Sequence, residues 1–298
     1  MDRHSYRMRR DAARRPGILA QRFVPVRYLV PNVATLMALC AGVTAIRAAI
    51  EARYELAVGL IVLAALLDGV DGRLARALNA QSRFGAELDS LADFVSFGVA
   101  PSILIYSWGL GPLRGLGWIA VLVFACAASL RLARFNVALD EDRPKWRSNF
   151  FSGVPAPAGA ITVMLPIYLE ESGLLVVRDW PLAIVIYVML MATLMVSTLP
   201  TYSGKLATER IAREYVAPAL AGAALAIGLL VTYPYLTLAT VTLAYLALIP
   251  LGVRRFLLKQ RAWEAGLTQS RPSGTIPPAD VGPADARDEP TPPTETRH

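Results

Sequence analysis

Long apolar runs alternate with short polar or proline-bearing stretches from residue 28 to residue 256, and this pattern predicts a helical membrane protein. Crossing bilayer hydrocarbon as a helix takes about 20 apolar residues. The runs lie at roughly 28–50, 54–78, 86–108, 116–138, 156–171, 181–200, 214–232 and 234–256. Pro155, Pro157 and Pro166 crowd the fifth run, with Gly153 and the two first prolines breaking the chain just before it; Pro234 and Pro250 flank the eighth. The expected fold class is all-α: a polytopic bundle of about eight transmembrane helices. A basic segment, 1–27, precedes the membrane domain, 28–256, and a Pro-, Thr-, Asp- and Glu-rich stretch, 257–298, reads as a disordered tail.

Charge adds an orientation. With both termini in the cytoplasm, 26 of the 30 Lys and Arg residues fall on the cytoplasmic side, and only Arg47, Arg53, Arg114 and Arg178 lie elsewhere. This asymmetry is what the positive-inside rule demands, and it requires an even number of helices. The net charge of +7 is then a topology signal and an attraction to anionic membrane lipids, so no nucleic-acid partner is needed. The basic start feeds an apolar run too long for a cleaved leader and reads as a signal anchor. Composition agrees, at 55% hydrophobic residues and a mean hydropathy of +0.44. Cys40 and Cys126 fall in apolar runs and read as unpaired core fillers. Trp108, Trp118, Trp180 and Tyr233 fall at inferred helix ends, where aromatic residues anchor to the interface.

Against this background four carboxylates stand out. Asp68 and Asp71 end the second apolar run, and Asp89 and Asp93 open the third. Ionisable groups at membrane depth are costly unless paired or metal-bound, which makes them functional candidates. At 100° per residue Asp68, Asp71, Gly72, Ala75 and Arg76 share one helix face. Gly85, Asp89 and Asp93 follow at four-residue steps on another. The stretch ALNAQSRF between the two runs is a short turn, so the two acidic faces meet. Asp68 lies about 21 Å along its helix from Tyr54, in the inner third of the bilayer. Four acids of one sign need cations, and close-set oxygen ligands suit Mg²⁺ or Mn²⁺. A divalent-cation transporter would use the same acids but leaves Gly72, Ala75 and Arg76 unexplained.

Residues 68–93 read D-x₂-D-G-x₂-A-R-x₈-G-x₃-D-x₃-D. This resembles the signature of the CDP-alcohol phosphatidyltransferases, membrane enzymes that move a phosphatidyl-type group from a CDP-linked donor to a hydroxyl. Further similar segments are PNVAT at 31–35, LRLARFN at 130–136, FFSGVPAPAGA at 150–160 and MVSTLPTYSGK at 195–205. The resemblance implies that Asp68, Asp71 and Asp89 hold divalent ions. It implies that Asp93 is the base for the acceptor hydroxyl and touches an ion as well. It implies that Gly72, Ala75, Arg76 and Gly85 line the CDP site, with a polar contact from Asn32. It further implies a CDP-diacylglycerol donor, L-serine as acceptor, a homodimer, and a multi-pass inner-membrane address with the site facing the cytoplasm. Glycerol 3-phosphate, inositol phosphate and choline are the alternative acceptors.

Other residues fill in the picture. Arg131 and Arg134, three apart on one helix face, could fork a carboxylate or phosphate or simply anchor the helix; Asn136 is grouped with them. Lys205 and Arg210 could reach a headgroup or act as anchors. The only histidines, His4 and His298, lie in the terminal segments, so neither a histidine base nor a phospho-histidine route is expected.

Overall fold

A computed structural model describes residues 26–139, 150–197, 200–202 and 216–269. Lys205 and Arg210 lie outside them. The chain divides into two compact units, Met1–Phe256 and Leu257–His298. The first unit is a helical bundle, as the apolar runs predict.

Helix α1 (Val26–Ile50) turns back through a three-residue link into α2 (Tyr54–Ala77). The two pack closely because small residues face each other: Ala38, Ala41, Ala45, Ala48 and Ala49 on α1, Ala57 and Ala64 on α2, all buried. Helix α3 runs over Arg83–Leu113 and changes pitch along its length. It is α-helical to Asp93, π-helical over Phe94–Val99, α-helical over Ala100–Ile105 and π-helical again over Tyr106–Leu110. Near the first wide turn α1 and α3 approach so closely that a Cβ on Gly42 would lie 2.8 Å from the Ser96 Cα. Helix α4 covers Gly115–Leu139.

The fifth expected helix is two short ones, α5 (Ala156–Val163) and α6 (Leu165–Glu171). Pro166 is the cause. It has no N–H to donate to the Thr162 carbonyl, and the Tyr187 hydroxyl donates there instead at 2.6 Å. Helices α7 (Pro181–Val196), α8 (Val216–Thr232) and α9 (Pro234–Gln269) complete the described set. Helix α9 continues to Gln269, so residues 257–269 are helical rather than the start of a disordered tail. The segment FLLKQRAWEA is rich in strong helix formers, which outweighs its polarity.

One feature departs from an all-helical expectation. Phe150–Ser152 (β1) pairs antiparallel with Pro200–Tyr202 (β2), with Phe151 opposite Thr201. The tight connection after β1 needs Gly153, at φ +78°, where a Cβ would lie 2.7 Å from the Met195 carbonyl oxygen.

Among the described residues, four helices are long and apolar enough to cross a membrane: Leu29–Ile50, Arg83–Leu113, Gly115–Val137 and Pro234–Arg254. Pro181–Val196 and Val216–Thr232 are shorter apolar helices. Outward residues of the bundle, such as Leu63, Leu122, Ile186 and Leu190, are large, apolar and exposed, as a lipid-facing surface requires. Cys40 and Cys126 are free thiols as expected, yet both are exposed on this surface instead of filling the core. Trp108 corrects a second expectation: it is buried, with the Arg178 guanidinium 4.9 Å from its ring centroid. Trp118, Trp180 and Tyr233 are exposed.

Candidate functional site

The turn between α2 and α3 brings the acidic faces together. Helix α2 closes with a Schellman arrangement: the Asn79 N–H donates to the Arg76 carbonyl and the Ala80 N–H to the Ala75 carbonyl, at 3.3 and 2.9 Å. Asn79 sits at φ +47°, a region that asparagine tolerates better than most residues. Three residues later Ser82 caps α3, its hydroxyl accepting the Gly85 N–H at 3.0 Å. Two opposed helices are thus joined with their ends satisfied.

Where they meet, one carboxylate oxygen from each of Asp68, Asp71 and Asp89 lies within 4.8 Å of the other two. Asp71 is buried, and the Thr35 hydroxyl of α1 lies 2.7 Å from its Oδ2. None of the three acids makes an ion pair among the described residues; the ion pairs there are those of Arg47, Arg53 and Arg178 with glutamates. Three converging carboxylates without an ion-pair partner among the described residues are a hard-oxygen donor set. The residues present therefore fit a divalent cation of the Mg²⁺ or Mn²⁺ kind.

A cavity of about 330 Å³ opens beside the trio. That is within the range of small-molecule pockets, about 300–1,000 Å³. Asn32, Asp71, Gly72, Ala75, Arg76, Gly85 and Asp89 all line it. A Cβ on Gly72 would meet no protein atom within 4 Å, so packing does not require this glycine. Gly85 differs, since a Cβ there would crowd the Asn32 Oδ1 at 3.0 Å. Its smallness lets Asn32 reach across from α1.

The other expected residues are placed differently. Asp93 stands outside the tight trio, at the last α-helical position before the π-helical turn, yet the charges of Asp68, Asp89, Asp71 and Arg131 all act on it. Arg131 is half-buried, with the charges of Asp93 and Asp68 acting on it, whereas Arg134 donates from Nη1 to the Val196 carbonyl at 2.6 Å. Arg134 is thus tied to the C-terminal end of α7. Asn136 is tied to α3, its Nδ2 donating to the Ser90 hydroxyl at 3.0 Å.

Sequence reasoning did not single out Thr35, Ser82 or Phe135, which also line the cavity. Thr35 was visible inside PNVAT, and Ser82 as a polar residue just ahead of a helix. Phe135 carries no local signal.

Comparison with known proteins agrees with this geometry. The family model for CDP-alcohol phosphatidyltransferase matches residues 28–199, and that for CDP-alcohol phosphatidyltransferase 2 matches residues 214–250. The chain belongs to the CDP-alcohol phosphatidyltransferase family, and so is a membrane transferase rather than a cation transporter. Among curated relatives is a CDP-diacylglycerol–serine O-phosphatidyltransferase of Mycobacterium leprae, 39% identical over 242 residues, spanning 79% of each chain. One bearing the same name from Mycobacterium bovis is 47% identical over 137 residues, 46% of this chain and 48% of that protein. One from Helicobacter pylori is 34% identical over 172 residues, 58% of this chain and 71% of the relative.

Proposed function

We propose that this protein transfers the phosphatidyl group of CDP-diacylglycerol to the hydroxyl of L-serine, giving phosphatidylserine and CMP. The observation that carries the reading is the convergence of Asp68, Asp71 and Asp89 beside a cavity lined by Gly72, Ala75 and Arg76. The names of the relatives support serine as the acceptor.

In this reading Asp68, Asp71 and Asp89 hold divalent ions, and Thr35 fixes the orientation of Asp71. A dication held by these three carboxylates would supply charge neutralisation for a diphosphate and the departing CMP. Gly72 and Ala75 leave room for the nucleotide against the helix backbone, while Arg76, Gly85 and Asn32 line the same space. Asp93 takes the proton of the serine hydroxyl, a contribution of about 10²–10⁴-fold for a positioned base. The serine oxygen bonds to the phosphatidyl phosphorus as the bond from phosphorus to CMP breaks, with no covalent enzyme intermediate. Arg131 draws the acceptor toward Asp93; Arg134 and Asn136 hold the end of α4 in register with α7 and α3.

The site faces the cytoplasm, at the inner membrane in a cell that has two. Eight transmembrane helices with both termini inside satisfy the distribution of Lys and Arg. The protein works among membrane lipids as a homodimer.

Purified protein is incubated with CDP-diacylglycerol, Mg²⁺ or Mn²⁺, and serine, glycerol 3-phosphate, inositol phosphate or choline in separate reactions. CMP and a lipid product are expected in equal amounts with serine. Preferential turnover with another alcohol would overturn the acceptor, and a phosphatidyl-enzyme adduct formed without serine would overturn direct displacement.

A further inference from the structure

Three polar side-chain atoms on α4 and α9 are buried with no hydrogen-bond partner among the described residues: Arg131 Nε, Thr242 Oγ1 and Tyr245 OH. Buried polar groups are nearly always satisfied, so an orphan calls for a ligand or an ordered water. Thr242 and Tyr245 lie three residues apart on α9 and so share a face. The residues packed against the core mark that face as the inward one: Leu238, Ala239 and Thr242 are buried, and Tyr245, Leu246 and Ile249 partly so. Arg131 comes from α4. Its charge and the Tyr245 phenol act on each other, and it acts in turn on Asp93 and Asp68. Arg131 makes no ion pair among the described residues.

We infer that Arg131 and Tyr245 form a subsite for the carboxylate of the acceptor amino acid, and that Tyr245 is a specificity-determining residue. This rests on the serine reading above. Both side chains present N–H or O–H donors, and a carboxylate offers two oxygens with several lone pairs to receive them. The acceptor carboxylate needs a cationic anchor of its own away from the metal ligands, and Arg131, whose charge acts on both Asp93 and Tyr245, supplies one. A carboxylate seated there brings the serine hydroxyl toward Asp93, because Arg131 neighbours both.

The test is steady-state kinetics of the full chain and its Tyr245→Phe and Arg131→Lys variants, with serine and CDP-diacylglycerol varied in turn. Serinamide, which lacks the carboxylate, serves as the control acceptor. Tyr245→Phe should raise the KM for serine by about 10-fold or more, the loss of a hydrogen bond to a charged group, with the change in KM for serine and not in KM for the donor. The preference for serine over serinamide should shrink by the same factor. A rise confined to the KM for CDP-diacylglycerol would instead assign the pair to the lipid phosphate and refute the proposal; so would an unchanged serine KM. Should Tyr245→Phe fail to fold, the wild type still decides, because equal use of serine and serinamide contradicts a carboxylate subsite. Failure of the wild type to make any product from serine would strike the reaction assignment itself, a result distinct from all of these.

Discussion

Asp71 owes its orientation to α1, where the Thr35 hydroxyl meets its Oδ2 at 2.7 Å. Groups that orient a metal ligand contribute about 10–100-fold to metal affinity or activity. Thr35→Val should therefore raise the Mg²⁺ or Mn²⁺ concentration needed for half-maximal turnover by about that factor, and Thr35→Ser should restore it. Unchanged metal dependence in Thr35→Val would mean that the hydroxyl is a packing detail. The acids themselves should divide by role. Asp93→Asn should lower turnover by about 10²–10⁴-fold while largely sparing metal-dependent binding of the CDP-lipid. Asp68→Asn or Asp71→Asn should weaken that binding, which equilibrium binding of a labelled donor would read directly. The quartet of acids and the small residues between them were legible in the sequence, because helical spacing alone puts them on two faces. Thr35 was not, since its role depends on a contact between helices 36 residues apart in the chain. Nor was Tyr245, whose neighbour Arg131 lies on another helix.

Helix boundaries follow the apolar runs to within a few residues except at the end of α9, which runs on to Gln269, and Pro166 marks the weak point of the fifth run in the sequence itself. What could not be read was how the bundle compensates. The Thr162 carbonyl, freed by Pro166, takes its hydrogen bond from Tyr187 on α7. Tyr187→Phe should orphan it at a cost of about 1–3 kcal/mol, visible as a lower Tm in detergent. Gly153→Ala should also lower the Tm, by the equivalent of about 1–2 kcal/mol for a left-handed backbone, with added cost from the Met195 carbonyl only 2.7 Å from the new Cβ. A Tm equal to wild type in either variant would contradict the corresponding local account. The π-helical turns of α3 had no sequence signal. The first begins just after Asp93 and spans the place where α3 meets α1 at Ser96 and Gly42. The pairing of Phe151 with Thr201 was equally hidden, for three-residue strands leave no periodic pattern.

The whole molecule joins a lipid-facing exterior to a polar pocket at one end of α2 and α3. Charge asymmetry along the chain predicts that pocket to face the cytoplasm, with Arg178 and the exposed loop residues Leu174 to Val176 on the opposite side. Single cysteines placed at 175 and at 81, in a chain whose Cys40 and Cys126 are replaced, should react with an impermeant reagent from opposite faces of the membrane. Labelling of both from one face would reverse the topology. The most direct test of the central claim is Mn²⁺ binding to the purified protein, followed by electron paramagnetic resonance with and without CDP-diacylglycerol. Saturable binding is expected, strengthened by the CDP-lipid, absent when Asp68, Asp71 and Asp89 are all changed to Asn, and matched by loss of CMP release in chelator. Mn²⁺ binding unaltered in that triple variant, or full turnover in chelator, would contradict the account.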